Sequence, residues 1–146
     1  MLEAAPPVLQ SLKDPVADRL DAVRDRIVEM VDPEFDPLGE VSDYLLQMRG
    51  KLLRPTLLLL ANDVGGRPDE RAVTVGAVVE LVHVATLVHD DAVDHSVRRR
   101  GMPTINARWT HQVAIIMGDY LYSRSVIEMS RLGNVEAIEL LAGAAN

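Results

Sequence analysis

Three aspartates, Asp90, Asp91 and Asp94, are followed one short loop later by three arginines, Arg98, Arg99 and Arg100. If the stretch from Glu80 to Asp94 is helical, then His83, Leu87, Asp90 and Asp94 fall at i, i+4, i+7 and i+11, so one imidazole and two carboxylates share a face. The aspartates also crowd the C-terminal end of that helix. There the macrodipole disfavours negative charge by roughly 0.3 to 1 kcal/mol per residue, and like charges at i, i+4 add to the cost. Something positive must offset them. The candidates are a metal ion and the arginine run. The chain has no cysteine, and ligation by oxygen alone favours a hard cation such as Mg²⁺ over zinc. Mg²⁺ keeps most of its waters and is held through one or two carboxylates plus the phosphates of a substrate. Acidic and basic groups converging on one spot therefore point to a diphosphate ligand. The same residues also permit a plainer arrangement, an acidic helix end salt-bridged to neighbouring arginines.

The elements that must position these groups read as helices. The chain has 146 residues, 48% hydrophobic and 25% charged, which suits one globular domain with its own core. Aromatics are only 3% of it, so the core must be aliphatic. A net charge of −7 argues against nonspecific nucleic-acid binding, which rests on an excess of basic groups. The absence of cysteine excludes disulfides and is compatible with a reducing cytoplasm. No signal peptide opens the sequence, and the uncharged runs fall far short of the ~18 residues of a spanning helix. The expectation is a soluble, cytoplasmic protein with no transmembrane segment.

Residues 1–13 carry Pro6 and Pro7 without clear periodicity and are expected to fray. Asp14 and Pro15 read as an N-cap and first turn, and Leu20, Val23, Ile27 and Met30 carry a helix to about residue 31. Two prolines make 32–37 a turn. Leu38, Val41, Leu45 and Met48 form a second helix that stops at Gly50. Because Arg54 precedes Pro55, residues 51–54 are expected to form a kinked junction, with a helix starting at Pro55 and ending at Gly65 and Gly66. Asp69 caps the next element, which is valine-rich and partly alternating. A strand competes there, but about 25 residues without a turn signal is too long for one. After a loop over 95–103, Thr104 caps a short helix through Trp109, a long helix covers 110–132, and Asn134 caps a last one. The pattern is all-α, antiparallel helices joined by short loops.

Four segments, GKLLRP at 50–55, the stretch from Glu80 to Asp94 with its DDAVD, RRGMPTIN at 99–106 and GDYL at 118–121, resemble in order and spacing the trans-polyprenyl diphosphate synthases. The resemblance covers roughly residues 38–145 and implies the N-terminal part of an antiparallel helical bundle of the isoprenoid-synthase type. It implies a prenyltransferase that joins isopentenyl diphosphate to an allylic prenyl diphosphate with Mg²⁺ as cofactor. The product is a longer trans-polyprenyl diphosphate. By resemblance, Asp90 and Asp94 hold the metal against the allylic diphosphate, Asp91 supports the cluster less directly, and Arg99 clamps that diphosphate, so Asp90, Asp91, Asp94 and Arg99 form the catalytic set. Lys51, Arg54, His83 and Arg100 match the positions that bind isopentenyl diphosphate. The seven residues between His83 and Asp90 span about 10 Å of helix, room for two neighbouring diphosphates. Small residues at Ala85 and Thr86, one turn before Asp90, imply a medium-chain or long-chain product.

Plainer roles stand beside these. His83 on a helix face also fits a satisfied core histidine, and Lys51 and Arg54 also fit as caps of helix carbonyls. Arg98 reads as solvated, and His89 and His95 as local hydrogen-bonding residues. Gly118 and Asp119 read as close helix packing and a buried hydrogen bond, and Trp109 and Tyr120 as core. The sequence departs from the family in two ways. Arg49 stands where the family has a glycine, and Asp119 is the only aspartate after Asp94, so the family's second aspartate-rich motif is missing. The expectation is a chain with little or no synthase activity alone, which associates as a homodimer or other oligomer. The competing expectation is a noncatalytic helical subunit that works by pairing with another chain.

Overall fold

The computed structural model describes residues 7–31, 38–48, 50–66 and 69–145. In order these form α1 (Pro7–Lys13), a 3-10 turn (Asp14–Val16), α2 (Ala17–Val31), α3 (Gly39–Gln47), α4 (Leu53–Val64), α5 (Arg71–Val93), β1 (Arg98–Arg99), β2 (Met102–Pro103), α6 (Ile105–Arg108), α7 (His111–Arg131) and α8 (Val135–Ala145). The turn expected over 32–37, the first six residues and Arg49 lie outside the described residues.

The valine-rich stretch is α5, and the other helices pack around it, α7 most extensively and then α4 and α2. Ala77, Val78, Leu81 and Ala92 of α5 are fully buried, as are Val23 of α2, Leu59 of α4, and Ala114, Met117 and Leu121 of α7. Burying one such Leu, Val or Met side chain contributes about 1.5 to 3 kcal/mol. Together these contacts hold α5 by its apolar side and decide which side of its C-terminal half faces out. At Gly76 a Cβ would stand 3.3 Å from Val23 Cγ2 and 3.6 Å from Pro55 Cβ, so α2 and α4 both close onto α5 at that point. By length and composition α5 is also apolar enough to cross a membrane, and half of that apolar stretch is buried inside the fold. Counting uncharged runs passed over it because Glu80 interrupts the run.

Thr104, Asn134 and Asp69 cap as their spacing implied and Thr110 caps as well, whereas Asp14, expected to cap a helix from Pro15, lies inside the 3-10 turn with Lys13 at its N-cap and α2 begins at Ala17. Thr104 accepts from Ala107 N (3.3 Å), Thr110 from Val113 N (3.1 Å), Asn134 from Ala137 N (3.1 Å) and Asp69 from Arg71 N (2.8 Å). Three further expectations need correction. Residues 7–13 are helical, with a proline at the first helical position, where the missing N–H has no intrahelical partner anyway. Arg54 lies inside α4 rather than in a junction. The break falls earlier, at Leu52, which takes a φ of 51°. Pro55 then sits in the first turn, where its ring displaces no hydrogen bond. The loop over 95–103 contains a tight hairpin, in which Arg98 pairs with Pro103 and Arg99 with Met102. Its two central residues, Arg100 and Gly101, have φ of 51° and 81°, the sign a type I′ turn requires at both positions.

Candidate functional site

On the C-terminal half of α5, Asp90 and Asp94 are exposed, His83 is half-buried and Asp91 is buried. Asp90, Asp94 and His83 lie on one outward stripe, as the helical spacing requires. Asp91 turns the other way. Arg99 Nε donates to its Oδ2 at 2.7 Å and Arg99 Nη2 to its Oδ1 at 2.9 Å. This fork is short on both arms, the geometry in which a guanidinium and a carboxylate match best. The salt-bridged reading of the acidic cluster therefore holds for Asp91 and not for its neighbours. The carboxylates of Asp90 and Asp94 make no hydrogen bond or ion pair with a described residue, and their charges bear on Arg99 only at longer range. Among the described residues no three carboxylate or imidazole groups gather as a ready-made metal cage. What remains is two outward carboxylates one turn apart, a donor set that fits Mg²⁺ shared with substrate phosphates and does not fit a closed all-protein site.

The hairpin delivers the arginines. Its base is tied down by Thr104 Oγ1 and Asn106 Nδ2, which donate to the Ser96 carbonyl at 2.7 and 2.9 Å. Tyr44 of α3 donates to the Pro103 carbonyl at 2.8 Å, and its ring packs edge-on against Trp109 with centroids 5.3 Å apart. Thr104 and Asn106 of the RRGMPTIN run thus serve as anchors for Arg99 and Arg100. Strand alternation points Arg98 to solvent and draws Arg99 inward. Arg99 and Arg100 line one small cavity of about 50 Å³ with Asp91, Leu45, Val84 and Leu87.

One to two turns before the aspartates, the positive groups gather. Burial, and then the charges of Arg54, Arg100 and Arg99, hold the His83 imidazole below its ordinary value, so it is neutral at pH 7. Arg54 and Arg100 are exposed near it, and Lys51 is exposed on the segment leading into α4. Beneath them lies a residue that the sequence reading passed over. Glu80 is 6% exposed, and its Oε2 is buried without a hydrogen-bond partner among the described residues. Burial pushes its carboxyl above the ordinary value, while Arg54, Arg100 and Lys13 pull the other way. A Cβ on Gly50 would stand 2.9 Å from Glu80 Oε1 and 3.3 Å from Arg100 Nη1, so the start of GKLLRP lies against both side chains. Lys13 joins this group from α1, close enough to feel Glu80 and Lys51. A lone acid inside the apolar run was the signal for Glu80. Nothing local marked Lys13.

The two chain-length candidates separate. Ala85 is 1% exposed and belongs to the core. Thr86 is exposed, adjoins the stripe of His83 and Asp90, and donates its hydroxyl to the His83 carbonyl at 2.8 Å. Close packing at Gly118 holds, but Asp119 makes no buried hydrogen bond. Its side chain is 73% exposed and lies 3.3 Å from His89 Nε2.

A family model described as polyprenyl synthetase matches residues 36–146. The chain is 42% identical over 134 residues to heptaprenyl diphosphate synthase component 2 of Geobacillus stearothermophilus, covering 92% of this chain and 42% of that protein. It superposes on a decaprenyl diphosphate synthase from Rhodobacter capsulatus with a TM-score of 0.89 and 39% identity, covering 94% of this chain and 42% of that one. A polyprenyl synthase from Caulobacter crescentus, complexed with calcium and isoprenyl diphosphate, gives a TM-score of 0.89 at 28% identity over the same shares. The chain thus spans about two-fifths of the length of the relatives it matches.

Proposed function

The chain belongs to the polyprenyl synthetase family, and on that premise we propose that the protein carrying it condenses isopentenyl diphosphate with an allylic diphosphate to give a longer trans-polyprenyl diphosphate. The observation that carries this reading is the division of labour on α5. Asp91 is occupied by Arg99, while Asp90 and Asp94 face outward one turn apart with no protein partner among the described residues.

In this reading Asp90 and Asp94 hold Mg²⁺, which supplies positive charge against the diphosphate that leaves the allylic substrate. Arg99, braced by Asp91, presents a fixed guanidinium to the same diphosphate without having to reorganise as charge develops. The second diphosphate, that of isopentenyl diphosphate, sits near His83. Lys51, Arg54 and Arg100 neutralise it there, and a neutral His83 donates a hydrogen bond. The rise of α5 sets the two sites about 10 Å apart. Thr86 lies on the path of the growing tail between them, and Ala85 acts only as packing beneath it. The calcium and isoprenyl diphosphate of the Caulobacter crescentus relative support this pairing of cation and substrate class. A cytoplasmic location is part of the proposal, in keeping with the absence of cysteine.

The test is to express the whole open reading frame carrying this chain and to supply labelled isopentenyl diphosphate, an allylic diphosphate and Mg²⁺. The expected result is a longer all-trans prenyl diphosphate. No incorporation of label would overturn the proposal. The 146 residues alone are expected to turn over little or none, since among the described residues no third carboxylate or imidazole joins Asp90 and Asp94 to hold the cation.

A further inference from the structure

His89, Gly118 and Asp119 stood out in the sequence and have no part in the chemistry above, yet they meet at one place. The His89 ring lies directly on Gly118, where a Cβ would stand 2.3 Å from Nε2 and 2.4 Å from Cδ2. Only a glycine lets the ring approach so closely. Its Nε2 lies 3.2 Å from the Ile115 carbonyl oxygen and 3.3 Å from Asp119 Oδ1. Both neighbours are acceptors, so the nitrogen donates and carries the proton. All three partners belong to α7, the helix that packs most extensively on α5.

Adjacent residues of a helix point about 100° apart, so His89 and Asp91 flank Asp90 on its two sides. His89 is tied to α7, and Asp91 is forked to Arg99 on the hairpin. Asp90 is held outward between these two ties, at the end of a helix whose last residues, Val93 and Asp94, are exposed and add little packing of their own. We propose that His89 is a positioning residue for the face made by Asp90 and Asp94. By donating into α7 over Gly118, it fixes the roll of the last turns of α5 and so the direction in which the two carboxylates meet a divalent cation and its diphosphate. The proposal rests on the reading of that face given above. Side chains that hold ligands without ligating commonly govern metal affinity by 10- to 100-fold.

The experiment is a calorimetric titration of the chain with inorganic diphosphate, with and without Mg²⁺, on the parent, His89→Phe and His89→Gln. Phe keeps a ring over Gly118 but has no N–H to donate; Gln restores an N–H at similar reach. His89→Phe is expected to lower Mg²⁺-dependent affinity about tenfold or more, leaving the weaker Mg²⁺-independent affinity unchanged, and His89→Gln to stay within about threefold of the parent. Melting midpoints of all three report packing separately. Parent-like affinity in His89→Phe would overturn the proposal, as would equal losses in both variants, since packing rather than the donated hydrogen bond would then be responsible. If the parent itself shows no Mg²⁺-dependent binding, the reading of the carboxylate face fails first and the role of His89 fails with it.

Discussion

Replacing Asp91 by Asn keeps the shape of the side chain and removes the charge against which Arg99 is forked. The Asp91 side chain is 8% exposed and that of Arg99 33%. Removing one partner of a fully buried ion pair costs about 3 to 5 kcal/mol. Arg99 is one-third in water and recovers part of its solvation, so about 2 kcal/mol is expected here. The adjacent substitution, Asp90→Asn, has the opposite expectation. It removes an exposed, unpaired negative charge at a helix C-terminus, which is neutral or stabilising by about 0.5 kcal/mol. Urea unfolding at pH 7 without divalent cations, followed by circular dichroism, measures both. Repeating it with Mg²⁺ and diphosphate should stabilise the parent and not Asp90→Asn, because only a ligand that binds the folded state shifts the midpoint. Equal losses in the two variants, or an Asp91→Asn variant as stable as the parent, would refute this division between a braced aspartate and a free one.

Two titratable groups, one buried and one half-buried, should leave opposite marks on the pH dependence of stability. Burial raises the Glu80 carboxyl, so its contribution is fully present below the ordinary carboxylate value of 4.5 and is lost as pH rises through its folded value. Glu80→Gln should abolish that loss in melting curves recorded between pH 4 and 7. The imidazole of His83 is lowered, so its contribution is present above the ordinary 6.5 and is lost as pH falls from there. His83→Gln should flatten that acid limb. In the whole protein, Thr86→Phe should shorten the products with the fold intact, read by chromatography of the dephosphorylated alcohols. Ala85→Phe should instead lower the melting temperature, since overpacking a core site costs about 1 to 3 kcal/mol.

The sequence made the helical scaffold legible because its helices are amphipathic or long and its caps are local. Thr104, Thr110 and Asn134 each place an oxygen three residues before the N–H it accepts, and that spacing is visible without any tertiary contact. Features set by distant parts of the chain were not legible. The start of α4 depended on Leu52 adopting a left-handed conformation, which Pro55 does not announce. In the acidic cluster, spacing put Asp90 and Asp94 on one face, but nothing in DDAVD says that Asp91 is reserved for an arginine eight residues on. Lys13 feels Glu80 and Lys51 across a long stretch of chain, a proximity that no local pattern announces. The tie from His89 to α7 became visible only when Gly118 lay under its ring. Of the tail-length pair, spacing alone did not say that Ala85 is buried and Thr86 exposed, since the two are neighbouring helical positions about 100° apart.

Binding of labelled geranyl diphosphate to the parent and to the double variant Asp90→Asn, Asp94→Asn, by equilibrium dialysis with and without Mg²⁺, tests the site most directly. The outward carboxylates predict binding that strengthens with Mg²⁺ in the parent and shows no Mg²⁺ response in the variant. Binding indifferent to the cation in the parent, or an undiminished Mg²⁺ response in the variant, would contradict the assignment of this face to a metal-bound diphosphate.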